Sequence, residues 1–336
     1  MFKYIVKRLL ISIIILLGVS IIIYTLVRLM PADYVDTRFA SSLQNPNSGI
    51  NQETIDHFKE LYGIADNSFA GIMKGYFNWL GKMLQGDLGN SFVYTNPVAQ
   101  VIGENMWISF AIAIVATILQ FLIAIPLGIT SATHQYSARD YTTTVLTMIG
   151  LALPTYFFAA IAIKVFAVEL GWLPPSSLIT ASKDYAATFS GQMAKLGDAA
   201  WHLILPIFVS VVLSIGGLMR YTRTNTLEVL NADYIRTARA KGLSERKVIY
   251  KHAFRNTLIP LATLLAGILP SLFGGMMITE QVFSIDGIGN LAYKALLQGD
   301  IPFVMGYNMF LAILSVLGTL LSDIMYSIVD PRVKLR

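Results

Sequence analysis

Residues 233–256 read DYIRTARAKGLSERKVIYKHAFRN. This dense block of Lys and Arg lies between two strongly apolar runs, near 203–219 and 257–279. Its two halves are patterned as short helices. The first, around 225–241, is expected to stop at Gly242, a natural residue for the left-handed position just past a helix end. Ser244 stands where an N-cap is wanted, and Glu245 follows in the first turn, where an acid suits the helix dipole. The second half runs to about Asn256 and sets Val248, Ile249 and Phe254 among Arg246, Lys247, Lys251 and Arg255. Two helices around a glycine turn make a compact basic knob.

The setting of the knob decides the fold class. The chain has 336 residues, of which 55% are hydrophobic and 13% charged. A soluble domain is nearer one quarter charged. Apolar runs of about twenty residues read as membrane-crossing helices. Six occur, near 9–30, 106–130, 142–168, 203–219, 257–279 and 303–329. They are continuous rather than short and alternating, which excludes a β-barrel. The expectation is an all-α membrane protein with about six transmembrane helices. The sequence divides into an N-terminus with the first span (1–30), an outer segment (31–105), a five-helix core (106–329) holding the basic loop 220–256, and a tail (330–336).

Charge sets the orientation. MFKYIVKRLL places Lys3, Lys7 and Arg8 ahead of the first run, which is read as an uncleaved anchor. With the N-terminus inside, the cytoplasmic segments hold sixteen Lys and Arg and the outer segments seven, spread over more chain. That satisfies the positive-inside rule and puts both termini and the knob in the cytoplasm. The net charge of +5 is therefore a matter of topology, and no nucleic-acid partner is expected. In the outer segment, NQETIDHFKELYG (51–63) places Ile55, Phe58, Leu61 and Tyr62 on one helical face, while FAGIMKGYFNWLGKML (69–84) is aromatic-rich and suited to the membrane interface.

Several chemistries are missing. There is no cysteine, hence no disulfide or thiolate site. A phosphate-binding loop needs GxxxxGK followed by Ser or Thr. The nearest stretch, GYFNWLGKM at 75–83, has one residue too many and ends in Met83. No ATP hydrolysis, catalytic residue, cofactor or metal is expected on this chain. His57, His134, His202 and His252 are scattered, and His202, taken as the start of a helix, reads as interfacial. An ion-coupled carrier would bury ionisable groups at mid-membrane. Arg28, Lys164 and Asp323 fall near helix ends and read as interface anchors.

Prolines and glycines inside the spans mark a second theme. Pro126 and Gly128 lie in the second run, Pro154 in the third, and Pro206 opens the fourth. Gly267, Pro270, Gly274 and Gly275 lie in the fifth. Proline frees a backbone carbonyl that lipid cannot satisfy, so such sites face protein or a water-lined cavity. A substrate pathway lined by helices two, three and five is one reading, with Pro126, Pro154, Tyr156, Phe157, Pro270, Phe273 and Gly274 as its candidates. Ordinary helix packing is the other. The knob likewise has two readings: a topology and lipid-headgroup element, or a docking element for a partner's groove. The glycine turn and apolar residues favour docking.

DYIRTARAKG followed by LSERKVIYKHAFRNTLIP resembles the cytoplasmic coupling loop of binding-protein-dependent ABC transporter permeases, in particular the B-type permeases of the oligopeptide, dipeptide and nickel group. The resemblance spans nearly the whole chain: GDLGNS (86–91) with Pro97 and Val98, IPLG (125–128), LP (153–154), WLPPS (172–176), HLILP (202–206), RYTR (220–223), EQVFSIDGIGNL (280–291), GDIP (299–302) and DIMYSIVDPR (323–332). Arg236, Thr237 and Ala238 stand where the general permease loop has Glu-Ala-Ala, and His252–Arg255 replace Ile-x-Leu-Pro, while Ala238 and Gly242 keep their places.

The resemblance implies an importer subunit that works with a second related permease, two cytoplasmic ATPases carrying ATP and Mg, and an external substrate-binding protein. It assigns ATPase coupling to Tyr234, Arg236, Ala238, Arg239, Lys241, Gly242 and Leu243. It makes Asp87, Phe283, Asp286, Gly287 and Gly289 candidates for an external gate or a binding-protein contact. The implied location is a bacterial or archaeal cell (inner) membrane, and the implied substrate an oligopeptide, with dipeptides, nickel complexes and oligosaccharides as alternatives. A stand-alone secondary carrier and a non-transporting scaffold or sensor are the competing functions.

Overall fold

The computed structural model describes residues 2–28 and 68–329. The helix expected over 51–63 and the tail 330–336 lie outside them. The apolar runs fold as helices because lipid offers no partner to a backbone N–H or C=O, so each group must be satisfied within the chain. Among the described residues there is no β-structure beyond an isolated bridge between Asn90 and Pro97.

Helix α1 spans Phe2–Arg28 and α2 spans Phe69–Leu84. Ser68 caps α2 by accepting the Gly71 N–H at 3.1 Å. Helix α3, Val98–Thr133, begins at Val98 rather than near 106. The run expected as one span over 142–168 is instead α4, Ala138–Ala152, and α5, Thr155–Ala162, which continues as a π-helix over Ile163–Glu169. The two halves are bent by 104°. The cause is Pro154, which lacks an N–H and holds Leu153 in extended backbone at φ −77° and ψ 130°.

The fourth run is longer than its apolar part. Helix α6 covers Phe189–Leu230, with Thr188 as its N-cap. Pro206 does not open this helix; it lies buried inside it. The piece expected over 225–241 is two helices, because α6 ends at Leu230 and α7, Asp233–Ala240, starts after extended Ala232. A turn at Glu245–Lys247 and a π-helical stretch, Val248–Ala253, lead directly into α8, Phe254–Thr263, so no break occurs near Asn256. The fifth run is split: α9, Leu265–Phe273, follows a tightened turn in which the Leu264 N–H bonds Leu261 O. Then come α10, Met277–Val282, α11, Ile288–Leu297, and α12, Ile301–Val329. Among the described residues four helices (α1, α3, α6, α12) are long and apolar enough to cross a membrane, and the bent α4–α5 pair makes a fifth if it is one span.

The core is stacked along α3. Val98, Val101 and Ile102 pack with Tyr24, Tyr76, Ile288, Leu291 and Phe303 at one end. Ile112 packs mid-helix with Ala159, Leu205, Val209, Phe283 and Ile285. Ala124 packs with Leu218, Met219 and Leu261 toward the other end. Helices α1 and α12 run antiparallel. Arg8 Nε lies 2.9 Å from Asp323 Oδ2, so Asp323 is a cross-helix ion-pair partner and not merely an interface anchor.

Candidate functional site

The knob has its own small core. Ile235, Ala238, Val248 and Ala253 are buried, with Val229, Leu230 and Leu243 against them. This follows from helical spacing: Ile235 and Ala238 are three residues apart and share a face of α7. Asp233 in the first turn and Arg239 in the last suit the helix dipole. The helix stops at Lys241–Gly242, where the Gly242 N–H bonds Arg239 O at 2.9 Å and Gly242 takes φ +74°. Ser244 has the extended backbone of an N-cap, yet its side chain makes no capping bond. Glu245 instead accepts from Arg239 Nε at 2.8 Å across the turn.

The seven sequence-predicted coupling residues therefore divide. Tyr234, Arg236, Arg239, Lys241 and Gly242 are exposed on the outer surface of the knob. Ala238 is buried and Leu243 half-buried, so they support that surface from beneath. What the knob offers chemically is a basic, donor-rich face over a packed apolar core.

The pathway candidates do not converge. Phe273 stacks on Phe110 at 4.7 Å between ring centres and meets Trp107 and Phe310 edge-on, joining α9 to α3 and α12. Gly274 O accepts the Tyr307 hydroxyl, and Pro270 is half-buried nearby in the same helix. Pro126 lies sixteen residues beyond Phe110 along α3, about 24 Å away, and it is exposed. Pro154, Tyr156 and Phe157 are exposed at the bend before α5 and in its first turn.

Among the outer candidates, Asp87 and Asp286 are exposed. Asp87 accepts the Gly89 N–H at 2.8 Å, and Asp286 lies 3.2 Å from Lys294 Nζ. Phe283, Gly287 and Gly289 are buried. The two glycines wrap Glu280, which is itself wholly buried. Glu280 accepts from Ser109 Oγ at 2.6 Å, from the Met276 N–H at 2.9 Å and from the Asn290 N–H at 2.9 Å. A buried carboxylate is stable only when so satisfied. The motif EQVFSIDGIGN is thus a fold around its own acid.

A second buried acid joins two distant motifs. Asp300 of GDIP accepts from Ser91 Oγ of GDLGNS at 2.6 Å and from the Val93 N–H at 3.0 Å. Beside it Tyr94 donates to Leu291 O at 2.8 Å, and burial, with the Asp300 charge, pushes its phenol pKa up. His202, expected at an interface, is buried well inside α6, with Nδ1 3.0 Å from Ser177 O. Among the described residues no three His, Asp or Glu side chains gather into a metal-binding group. Neither Glu280 nor Asp300 is evident from spacing. The available signal is an acid with glycines close by in an apolar stretch.

With this geometry in view, residues 124–335 match the family described as binding-protein-dependent transport system inner membrane component. The chain belongs to that family and is a multi-pass permease subunit of the ABC-importer class. It is 39% identical over 335 residues to the oligopeptide transport system permease protein AppB of Bacillus subtilis (strain 168), covering 99% of this chain and 100% of that relative. It is 31% identical over 343 residues to the dipeptide transport system permease protein DppB of Alkalihalophilus pseudofirmus, covering 99% and 100%. In fold it is similar to a chain of the MetNI methionine ABC transporter in an inward-facing conformation, with TM-score 0.52 and 17% identity over 69% of this chain and 97% of that one.

Proposed function

We propose that this chain is the transmembrane subunit of an ATP-driven, binding-protein-dependent importer of oligopeptides that moves its substrate inward by alternating access. The observation that carries the reading is the knob: a basic exposed face on its own apolar core, into which Val229 and Leu230 at the end of α6 pack. A packed body of this kind would pass a push on to α6. The push would come from two cytoplasmic ATPase subunits that hold ATP and Mg, since this chain has no phosphate-binding loop of its own. Tyr234, Arg236, Arg239, Lys241 and Gly242 would form the contact, supported by Ala238 and Leu243. Both termini would be cytoplasmic.

A second related permease would cover exposed apolar residues such as Tyr156, Phe157 and Ile161. An external binding protein would deliver substrate to the outer face, where Asp87 and Asp286 are accessible. Phe273 and Gly274, with Pro270 in the same stretch, are the pathway candidates that lie together, and Phe283, Gly287 and Gly289 would act by shaping the outer gate rather than by contact. The relative named for oligopeptides favours that substrate class, and the one named for dipeptides supports a second reading. The test is mild extraction of the tagged chain from its native membrane. A nucleotide-binding ATPase and a second permease should co-purify, and altering 236–247 should release the ATPase alone. A chain recovered without either would overturn the reading.

A further inference from the structure

Next to the knob, one carboxylate gathers four pieces of chain. Arg223 of α6 presents its guanidinium fork to Asp140, with Nε 2.9 Å from Oδ1 and Nη2 2.9 Å from Oδ2. Ser131, at the end of α3, donates to the same Oδ1, and the Tyr136 N–H donates to Oδ2 at 3.0 Å. Asp140 and Ser131 are almost wholly buried. The end of α3, the turn after it, the start of α4 and the cytoplasmic end of α6 thus meet at one group. A two-pronged Arg–carboxylate contact fixes orientation as well as distance.

The same three helices touch backbone to backbone. A Cβ placed on Gly128 of α3 would lie 2.7 Å from Met219 O of α6. One on Gly150 of α4 would lie 2.9 Å from Val212 O, and one on Gly216 of α6 2.5 Å from Thr147 O. Packing this close resists sliding. From Arg223, α6 runs unbroken to Val229 and Leu230, which pack into the knob core. The other connection of the knob passes through the π-helical stretch Val248–Ala253 and the turn at Leu264, two places where helical hydrogen bonding changes register. Between the knob and the α3–α4 turn lies a cleft of about 530 Å³ lined by His134, Gln135, Asn231, Arg239 and Glu245 among others.

We propose that Arg223 and Asp140 are positioning residues that make α3, α4 and α6 one rigid lever, carrying displacement of the knob into the membrane helices. This rests on the importer reading above. The lever would move whole, while the fifth run flexes at its two irregular points.

The test uses the assembled complex in proteoliposomes. Gln135→Cys and Asn231→Cys are the only thiols this chain then carries, and both can take spin labels. The distance between them should stay within about 2 Å between nucleotide-free and ATP-trapped states. Any larger shift, such as one helical turn of roughly 5 Å, would overturn the rigid lever. In an Asp140→Asn complex the distance distribution should broaden, and uptake per ATP hydrolysed should fall about tenfold, with basal hydrolysis retained. Arg223→Lys keeps the charge without the fork and should fall between the two. Uptake per ATP equal to wild type in assembled Asp140→Asn would also overturn the proposal. Should that variant fail to assemble, the label distance in the otherwise wild-type complex decides. ATP-dependent uptake by the unaltered complex tests the importer reading separately.

Discussion

Gly242 and Gly287 show two different reasons for a glycine. Gly242 has φ +74° and open space where a Cβ would sit, so only the backbone resists a side chain. A bulky residue there costs about 1–2 kcal/mol. Gly242→Val is expected to reach the membrane at normal abundance but to lose uptake while ATP hydrolysis continues. Immunoblotting and transport assays check this, and wild-type uptake would remove the coupling role. Gly242→Asn should retain more activity, since Asn tolerates the left-handed region. At Gly287 a Cβ would stand 2.5 Å from Glu280 Cδ, inside the buried cradle. Gly287→Ala should destabilise the chain by about 1–3 kcal/mol, read as a lower midpoint in detergent thermal unfolding. The first glycine was legible in sequence because its partners are the next few residues. The second was not, because Glu280 reaches it only through the fold.

At the scale of elements, the third apolar run teaches the most. Its composition reads as one span over 142–168, yet it is bent by 104° at Pro154. The proline was visible, but whether a helix continues past one depends on what packs around it. Here the second half is drawn inward: Ala159 and Ala162 are buried with Leu205, Val209 and Phe283. Pro154→Ala restores an N–H that a continuous helix needs, and is expected to straighten the pair. Spin labels at the exposed positions Val145 and Val168 should then move apart toward about 35 Å, the length of a straight helix between them. An unchanged distance would show that packing alone holds the bend. The basic loop is more legible. Its two-part helical pattern and its glycine turn are local, whereas the true end of α6 at Leu230 and the π-helical stretch depend on the knob core.

At the scale of the whole molecule, long-range acid contacts close the chain on itself. Arg8 and Asp323 tie the first helix to the last, and Ser91 and Asp300 tie the segment after α2 to the start of α12. The first pair is partly exposed, so Asp323→Asn should cost only about 1 kcal/mol, and the exchange Arg8→Asp with Asp323→Arg should recover most of it in thermal unfolding. Asp300 is fully buried, so Asp300→Ala should cost more, about 1–3 kcal/mol, by stranding its donors. The all-helical membrane class, the basic knob and the likeness to the permease family can be read from the amino-acid order alone. Those depend on hydropathy, on charge and on motifs read in order along the chain. Which acids are buried, where runs bend, and the meeting of α3, α4 and α6 at Asp140 emerge only from the folded chain. The reason is physical: helix formation in lipid is driven by local backbone hydrogen bonding, whereas burial and pairing depend on which distant segment arrives opposite.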